Sequence, residues 1–249
     1  SHVRPTTYLV PDTKVTGAGT ESNPWIIYEE TYFNYNINVT GGSATPNTGK
    51  IIKGNTLTIT LTPDSIHKLE GVTTTCNGDI NGNILTISNV QDDVDCEVIF
   101  PIKTFYVSVS SSTGTVSPSS IYTSYGTSVR INLTPKTGYT LTGVTSTCKN
   151  GTISGNVLTI SNVTQNISCT VTFQRIYYTY RITAVGGSVS PGSGSVAYGR
   201  NKTFTLIPSD GYTIEGATTT CNGTISGSTL TINNILSNIS CSVTFMESL

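Results

Sequence analysis

The segment TCKNGTISGNVLTISNVTQNISCTVTF, residues 147–173, carries a cysteine near each end and only one charged residue. Near-copies occupy residues 75–100 and 220–245, and each again holds two cysteines, 20 or 21 positions apart. A segment that recurs at a fixed period indicates a chain built from repeated structural units. The repeat is therefore the first property from which the fold can be predicted.

The repeat extends well beyond these segments. The motifs GGSATP (41–46), TGTVSP (113–118) and GGSVSP (186–191) lie 72 and 73 residues apart. We therefore predict three tandem modules preceded by an arm of different sequence. The predicted boundaries are 1–34 for the N-terminal arm, 35–104 for repeat 1, 105–178 for repeat 2 and 179–249 for repeat 3.

The residue pattern within each repeat has a period of two. Cys169, Val171 and Phe173 fall on one face of an extended segment, and Thr170 and Thr172 fall on the other. β-Branched residues dominate, and turn signals recur every 8–12 residues, as expected for short half-buried strands. We predict an all-β fold in which each repeat is a small β-sandwich of about seven strands.

Modules of this size bury little apolar surface, so each is marginally stable on its hydrophobic core alone. The connections across residues 100–107 and 173–180 are short and aromatic rather than rich in Gly and Ser. They predict a semi-rigid rod of modules rather than a flexible string.

The six cysteines fit a structural role better than a metal or redox site. Zinc sites favour closely spaced ligand pairs, and a redox pair favours Cys-x-x-Cys; the sequence has neither arrangement. Each pair is expected to join the end of an inner strand to the last strand of its repeat. The predicted disulfides are Cys76–Cys96, Cys148–Cys169 and Cys221–Cys241, with reduced buried thiols as the alternative. Such bonds favour an extracellular location.

Groups for catalysis are scarce. The only histidines are His2, in the arm, and His67, in a turn where the other repeats carry Tyr139 and Tyr212. Repeat 1 alone carries an acidic group, which we interpret as a solvated turn and which comprises Asp92, Asp93, Asp95 and Glu97. We predict no catalytic residue, no cofactor and no enzymatic activity.

A weak calcium signal occurs in repeat 1, where Asp79, Asn81 and Asn83 alternate along the chain. The corresponding segments of the other repeats carry no acid, and a full calcium loop needs further ligands. A hairpin turn at Gly82 explains the segment better, and we predict no metal site.

The formal net charge of −1, with 11% charged residues, gives no basic surface for nucleic acid. The apolar residues occur in short runs, so no membrane span is predicted. Asn-x-Ser/Thr motifs mark possible glycosylation sites on an extracellular chain. They are Asn38, Asn132, Asn150, Asn162, Asn166, Asn201, Asn222 and Asn238.

The arm does not follow the repeat and contains the only tryptophan, Trp25. It fits a short extra strand with a cap over the end of repeat 1. It also fits an intersubunit strand, because an extended β-prone segment can add to a sheet edge of a neighbouring copy. That segment is Thr6, Thr7, Tyr8, Leu9 and Val10.

Repeat 3 resembles the extracellular β-repeats of bacterial surface proteins, namely the divergent internalin-B-type repeats and related Ig-like or β-grasp-like modules. The residues that carry the resemblance are Tyr180, Ile182, Gly186, Gly187, Val189, Pro191, Gly199, Pro208, Gly211, Tyr212, Val243 and Phe245. Repeat 1 departs from this pattern at residues 63–67, and the cysteine pair is not a general feature of the family. The resemblance implies a non-enzymatic surface protein.

We therefore expect a cell-surface stalk, an adhesin segment or a filament subunit that self-associates or joins a larger assembly. Two alternatives remain: a phage virion fibre or capsid-decoration protein, and a carbohydrate-binding module with a glycan or host-surface ligand. The aromatics available for a glycan are Tyr122, Tyr125, Tyr177, Tyr178 and Tyr198.

Overall fold

A computed structural model describes residues 14–248 of the chain. The chain divides into two compact units, residues 1–103 and residues 104–249. The described residues contain strands and turns but no helix, and hence no helix that crosses a membrane. The predicted all-β class is confirmed.

The first compact unit contains the arm and repeat 1. The arm contributes a two-stranded hairpin, β1 (Val15–Thr16) and β2 (Ile26–Ile27). The strands of repeat 1 are β3 (Tyr32–Thr40), β4 (Gly42–Thr45), β5 (Thr48–Ile52), β6 (Leu57–Pro63), β7 (Thr73–Thr74), β8 (Asp79–Asn81), β9 (Ile84–Ile87) and β10 (Val94–Ile99).

The second compact unit contains repeats 2 and 3, each with the same eight elements in the same order. Those of repeat 2 are β11 (Thr104–Ser110), β12 (Gly114–Ser117), β13 (Ser120–Ser124), β14 (Val129–Pro135), β15 (Tyr139–Ser146), β16 (Gly151–Ser154), β17 (Val157–Ile160) and β18 (Ile167–Arg175). Those of repeat 3 are β19 (Tyr177–Val185), β20 (Gly187–Ser190), β21 (Ser193–Ala197), β22 (Lys202–Pro208), β23 (Tyr212–Thr219), β24 (Thr224–Ser226), β25 (Thr229–Ile232) and β26 (Ile239–Glu247).

Every repeat is a sandwich of two four-stranded sheets. In repeat 2 the first sheet has the order β13-β11-β18-β15, and the second has the order β12-β14-β17-β16. The first and last strands of the repeat, β11 and β18, pair in parallel at the centre of the first sheet. All other pairs are antiparallel. Repeats 1 and 3 have the same topology.

The alternation of apolar and polar residues places the core between the two sheets. In repeat 2, Val107 and Val171 of the first sheet and Ile131 and Leu158 of the second belong to one buried cluster. Repeats 1 and 3 have matching clusters of their own. The predicted sandwich is therefore present three times, and each copy has a separate core.

A close approach of ring and backbone explains the most regular spacing in the repeat. The phenylalanine at the end of each repeat packs on the glycine that begins the second strand. At Gly187 an added Cβ would lie 2.6 Å from Phe245 Cε2 and 2.5 Å from the carbonyl oxygen of Ile207. Only glycine fits this position, because even the smallest side chain would clash with both groups. Gly42 with Phe100, and Gly114 with Phe173, repeat the contact.

One core position varies together with its partner on the neighbouring strand. At Gly194 an added Cβ would lie 2.5 Å from the hydroxyl oxygen of Tyr180 and 2.8 Å from Cζ of its ring. In repeat 2 the tyrosine is replaced by a valine, and the glycine is replaced by an isoleucine. The directly paired residues are Tyr35 with Gly49, Val107 with Ile121, and Tyr180 with Gly194. The large side chain thus moves from one strand to the other while the combined size stays similar.

All three disulfides join the residue pairs inferred from the sequence. Each closes a loop of 20 or 21 residues and connects neighbouring strands of the first sheet. The expectation that the first cysteine ends an inner strand is wrong: Cys148 follows β15, which lies at the edge of its sheet. The bond therefore joins the edge strand to β18 just beyond Ser146, the last residue of β15 that pairs with β18.

Hydroxyl groups before each first cysteine extend the pairing that the backbone ladder does not complete. The amide of Cys148 donates to Ser146 Oγ (3.0 Å), and the amide of Thr170 donates to Thr147 Oγ1 (2.9 Å). The same two bonds recur around Cys76 and Cys221. The Thr/Ser-Thr-Cys motif thus holds the edge strand against the last strand of its repeat.

Replacing one disulfide should loosen one module and leave its neighbours as internal controls. For Cys148→Ala/Cys169→Ala we expect repeat 2 to lose about 3 kcal/mol, because its unfolded chain regains the freedom of the open loop. Amide hydrogen exchange of the full chain measures this as a fall of roughly two orders of magnitude in the protection of the repeat 2 core. Unchanged protection of Ile131 and Leu158 would contradict the structural role of the bond.

Whether the two paired positions are coupled can be tested in repeat 3, by replacing its Tyr180–Gly194 pair with the valine and isoleucine found in repeat 2. Gly194→Ile alone should destabilise that repeat by about 1–3 kcal/mol, because the new side chain meets the Tyr180 ring and the backbone at this position has a φ of 157°. Adding Tyr180→Val should restore about 1 kcal/mol or more, a coupling that a double-mutant cycle in urea unfolding measures directly. Additive effects of the two changes would show that the pair is not coupled.

Candidate interaction surfaces

The pair most similar to a catalytic arrangement has a structural explanation. His67 Nδ1 lies 2.6 Å from Asp64 Oδ1, which also accepts the amides of Ile66 and His67. The His67 ring covers Gly41, as the Tyr212 ring covers Gly186 in repeat 3. His67 therefore occupies the place of a packed turn tyrosine, as the sequence indicated.

The interpretation of the acidic group of repeat 1 as a solvated turn is wrong for Asp95 and Glu97, which lie on strand β10. Three of its four residues bond within the first sheet. Asp93 Oδ1 accepts the amide of Asn34 (2.7 Å), and Asp95 Oδ1 accepts Nδ2 of Asn36 (3.1 Å). Glu97 Oε1 accepts the hydroxyl of Thr40 (3.3 Å). Within residues 14–248, no three His, Cys, Asp or Glu side chains are grouped so that they could hold a metal ion.

The segment with a weak calcium pattern forms a hairpin. Asp79–Asn81 is strand β8, and Asn81 pairs with Ile84 across a turn whose first central residue is Gly82, at φ 59°. A turn of this kind needs glycine at that position. The hairpin expected at Gly82 is present, and it is repeated as β16–β17 and β24–β25. Each repeat therefore has eight strands, one more than the predicted number of about seven.

All eight predicted glycosylation asparagines lie on the surface. Two of them also hold the backbone of a neighbouring strand, since Asn166 Oδ1 accepts the amide of Tyr106 (2.8 Å) and Asn238 Oδ1 accepts the amide of Thr179 (2.9 Å). Asp93 does the same in repeat 1. Asn150 and Asn162 occupy left-handed turn positions, at φ 56° and 51°. Glycosylation stays a prediction for all eight: Asn38, Asn132, Asn150, Asn162, Asn166, Asn201, Asn222 and Asn238.

The described part of the arm does not form the expected cap. Its hairpin is closed by a Lys14–Glu30 ion pair (2.5 Å) and a bond from the Tyr28 amide to the Lys14 carbonyl (3.1 Å). Trp25 is 62% exposed, and the residues on either side of it are exposed too. A cap would bury these side chains, so the hairpin leaves an apolar surface open. The predicted intersubunit strand, Thr6–Val10, lies outside the described residues.

Repeat 2 exposes a pair of tyrosines that the other repeats lack. Tyr106 of β11 and Tyr122 of β13 are directly paired, and their ring centroids lie 5.0 Å apart. Tyr122 is 72% exposed, at the edge of its sheet. The corresponding pairs are Asn34 with Lys50 in repeat 1 and Thr179 with Ser195 in repeat 3. Sequence reasoning missed Tyr106, although its departure from the other two repeats was a visible signal.

The other candidate aromatics do not form one platform. Tyr125 packs against Phe105, and Tyr178 packs against Tyr198, each with centroids 6.2 Å apart. Tyr177 is exposed at the start of β19. Among the predicted residues, only Tyr122 packs against another exposed ring, that of Tyr106, at an interplanar angle of 50°.

Repeats 2 and 3 are joined almost directly. A single residue, Ile176, separates β18 from β19. Its amide donates to the carbonyl of Gly138 (2.9 Å), and its carbonyl accepts the amide of Tyr198 (3.0 Å). The Tyr198 ring lies against Gly138, where an added Cβ would be 3.1 Å from Cδ1. The junction is therefore fixed by backbone bonds from both repeats.

Charge is distributed unevenly along the chain. Residues 105–178 hold four Lys or Arg and no Asp or Glu, whereas residues 35–104 hold four Lys and seven Asp or Glu. Residues 14–31 of the arm hold one lysine and three glutamates. The net charge is near zero because the basic repeat 2 offsets the acidic repeat 1 and the acidic arm.

Shallow apolar grooves lie at one open edge of the sandwich in repeats 2 and 3. In repeat 3 the groove has a volume of ≈ 600 Å³ and is lined by Ile214, Ala217 and Ile225. Ile214 and Ala217 lie within the bulge of β23, Ile225 lies on β24, and all three side chains are partly buried. The groove is therefore an exposed margin of the core.

The pKa of the Asp64 carboxyl is lowered, chiefly by the hydrogen bond from the His67 ring and then by the backbone amides. A carboxyl with a lowered pKa in the folded state stabilises the fold above its ordinary value of about 4, and this contribution is lost as the pH falls through the folded value. Asp64→Asn should therefore lower the melting temperature at pH 7, by an amount that shrinks under acid. Asp92→Asn in the same repeat is the control, and a pH-independent difference would contradict the prediction.

A comparison with solved structures finds the Bacillus anthracis TIE protein, at 8% sequence identity and a TM-score of 0.45. The match covers 91% of this chain and 52% of that one, so this chain spans about half the length of that structure. A comparison with curated proteins finds no match.

The family model of the divergent InlB B-repeat domain matches three times, over residues 35–92, 106–177 and 178–248. These matches cover most of the chain and confirm the resemblance seen in repeat 3. The chain belongs to the divergent InlB B-repeat family.

Proposed function

We propose that the chain is a non-enzymatic structural protein of an extracellular surface, in which the three modules act as a stalk and the arm joins one copy to another as in a filament. The observation that carries this proposal is the contrast between constant cores and variable surfaces. Each repeat keeps the same topology, phenylalanine–glycine contact and disulfide. The sheet edges differ from one repeat to the next, and the arm is not repeated.

The three disulfides support the extracellular location, because such bonds persist in oxidising surroundings and are rare in the cytosol. Membership of a surface-repeat family supports the same assignment. The alternative of a virion component has no support from the comparisons and stays a prediction from the sequence.

The direct junction of repeats 2 and 3 supports the stalk. A stalk must transmit force without bending freely, and a one-residue connection held by two backbone hydrogen bonds restricts bending. Within each sandwich, the parallel pairing of the first and last strands brings the chain ends into one sheet. Force applied to the two ends of a repeat therefore acts directly on its first and last strands, which pair with each other at the centre of the sheet.

The exposed hairpin supports a role of the arm in assembly. A two-stranded hairpin is marginally stable in isolation, and its apolar side chains gain stability only when another surface covers them. Trp25, Ile26, Ile27 and Tyr28 are all more than half exposed. A second copy supplies such a surface wherever the protein is concentrated.

Removal of the arm tests this proposal. The full chain should form concentration-dependent assemblies in sedimentation velocity and electron microscopy, and a chain that starts at Glu29 should stay monomeric. Circular dichroism and hydrogen exchange of the shortened chain should match those of the three repeats in the full chain. Equal assembly of both chains, or none by the full chain at high concentration, would refute the role of the arm.

A further inference from the structure

We propose that strand β13 of repeat 2 is the acceptor edge for the N-terminal arm of a second copy. The inference rests on the proposed function and names the surface that the arm contacts. It is carried by the sheet edge itself and by the exposed residues on both partners, and it meets no like-charge repulsion in repeat 2.

Strand β13 is an edge strand that pairs only with β11 within the described residues. Its other side presents backbone N–H and C=O groups to solvent, and such a row accepts an added strand. Ile121 is 39% exposed and Tyr122 is 72% exposed, so apolar side chains accompany the open backbone.

The same edge is protected in the other two repeats. Strand β5 carries Gly49 and Lys50 where β13 carries Ile121 and Tyr122, and β21 carries Gly194 and Ser195. A lysine on an edge opposes the addition of another strand, and glycine or serine offers little apolar contact. Repeat 2 is thus the one module whose edge favours strand addition.

The core of repeat 2 accommodates this edge. Val107 leaves space where the other repeats have a tyrosine, and Ile121 takes the place of the glycine beneath it. The substitution moves a large apolar side chain from the interior to the edge strand. Repeat 2 retains its core and gains an apolar edge.

The arm has the matching chemistry. Thr6–Val10 is the β-prone segment that would pair with β13, and the exposed Trp25 and Tyr28 would lie beside the Tyr106–Tyr122 pair. Aromatic rings that pack together contribute about 0.5–1.5 kcal/mol beyond the area they bury.

Charge does not oppose this partner, although none of the four cations of repeat 2 lies on β11 or β13. Repeat 2 contains cations and no acid, whereas the described arm contains three glutamates and one lysine, which is already paired with Glu30. Complementary charge steers association and selects orientation. The donor and acceptor surfaces differ, so the contact is heterologous and adds copies in sequence instead of closing a symmetric dimer.

Cross-linking and charge substitution in the full chain test the acceptor. A benzophenone amino acid at position 122 should cross-link to residues 1–31 of another copy, identified by mass spectrometry of mixed light and heavy isotopic chains. Tyr122→Lys and Ile121→Lys should each weaken assembly by about ten-fold or more, because a buried lysine opposes the contact. Ser195→Lys, the matched change in repeat 3, should weaken it less than about two-fold by the same argument.

The outcomes separate the acceptor from the proposed function. If removal of the arm prevents assembly but Tyr122→Lys and Ile121→Lys do not, the acceptor is wrong and the function of the arm stands. Cross-links within single chains, or to repeats of other copies, would also overturn it. The acceptor proposal would also be overturned if Tyr122→Lys left assembly unchanged but abolished binding of the protein to immobilised polysaccharide, because the tyrosine pair would then bind glycan. Hydrogen exchange of the repeat 2 core confirms that each variant is folded.

Discussion

The covalent tie between the edge and the last strand of each sandwich is the constraint on which the rest of the structure depends. A module of about 70 residues buries a small core, so its stability is marginal without a further restraint. The disulfide supplies that restraint, and the hydroxyl bonds of the Thr/Ser-Thr-Cys motif align the strands that it joins. With the first sheet held in this way, the closing phenylalanine stays on its glycine and the second sheet stays covered.

Once the core is secured, the outer faces are free to differ. The outer face of the first sheet carries acids and amides in repeat 1 and a tyrosine pair in repeat 2. In repeat 3 the same face carries Arg181, which corresponds to Ser108 of repeat 2. Where repeats 1 and 3 have tyrosine and glycine, repeat 2 has Val107 and Ile121, and Ile121 is partly exposed. A difference in the core is thus accompanied by a difference at the surface. The differences between the repeats therefore lie at edges and faces, and the cores are alike.

Alternation and repetition were sufficient to predict the all-β class, the three modules and the cysteine pairs, because these depend on local patterns and on comparison between copies. Strand order depends on contacts between distant residues, so the edge position of the first cysteine was not predicted. The eighth strand was missed for a different reason, because the two strands of the Gly82 hairpin are only three and four residues long. Tyr106 and Tyr122 became neighbours only through the register of β11 and β13. The aromatic residues of the arm led us to predict that their side chains are buried, because large apolar residues usually pack in a core. Trp25 is exposed instead.

Single-molecule force spectroscopy of the full chain tests the central claim, that three separately stapled modules carry load, most directly. Three unfolding steps are expected, each shortened because 20 or 21 residues stay locked behind a disulfide. Reduction should lengthen every step by about 70 Å, the extended length of those residues. A single merged step, or step lengths unchanged by reduction, would contradict the claim.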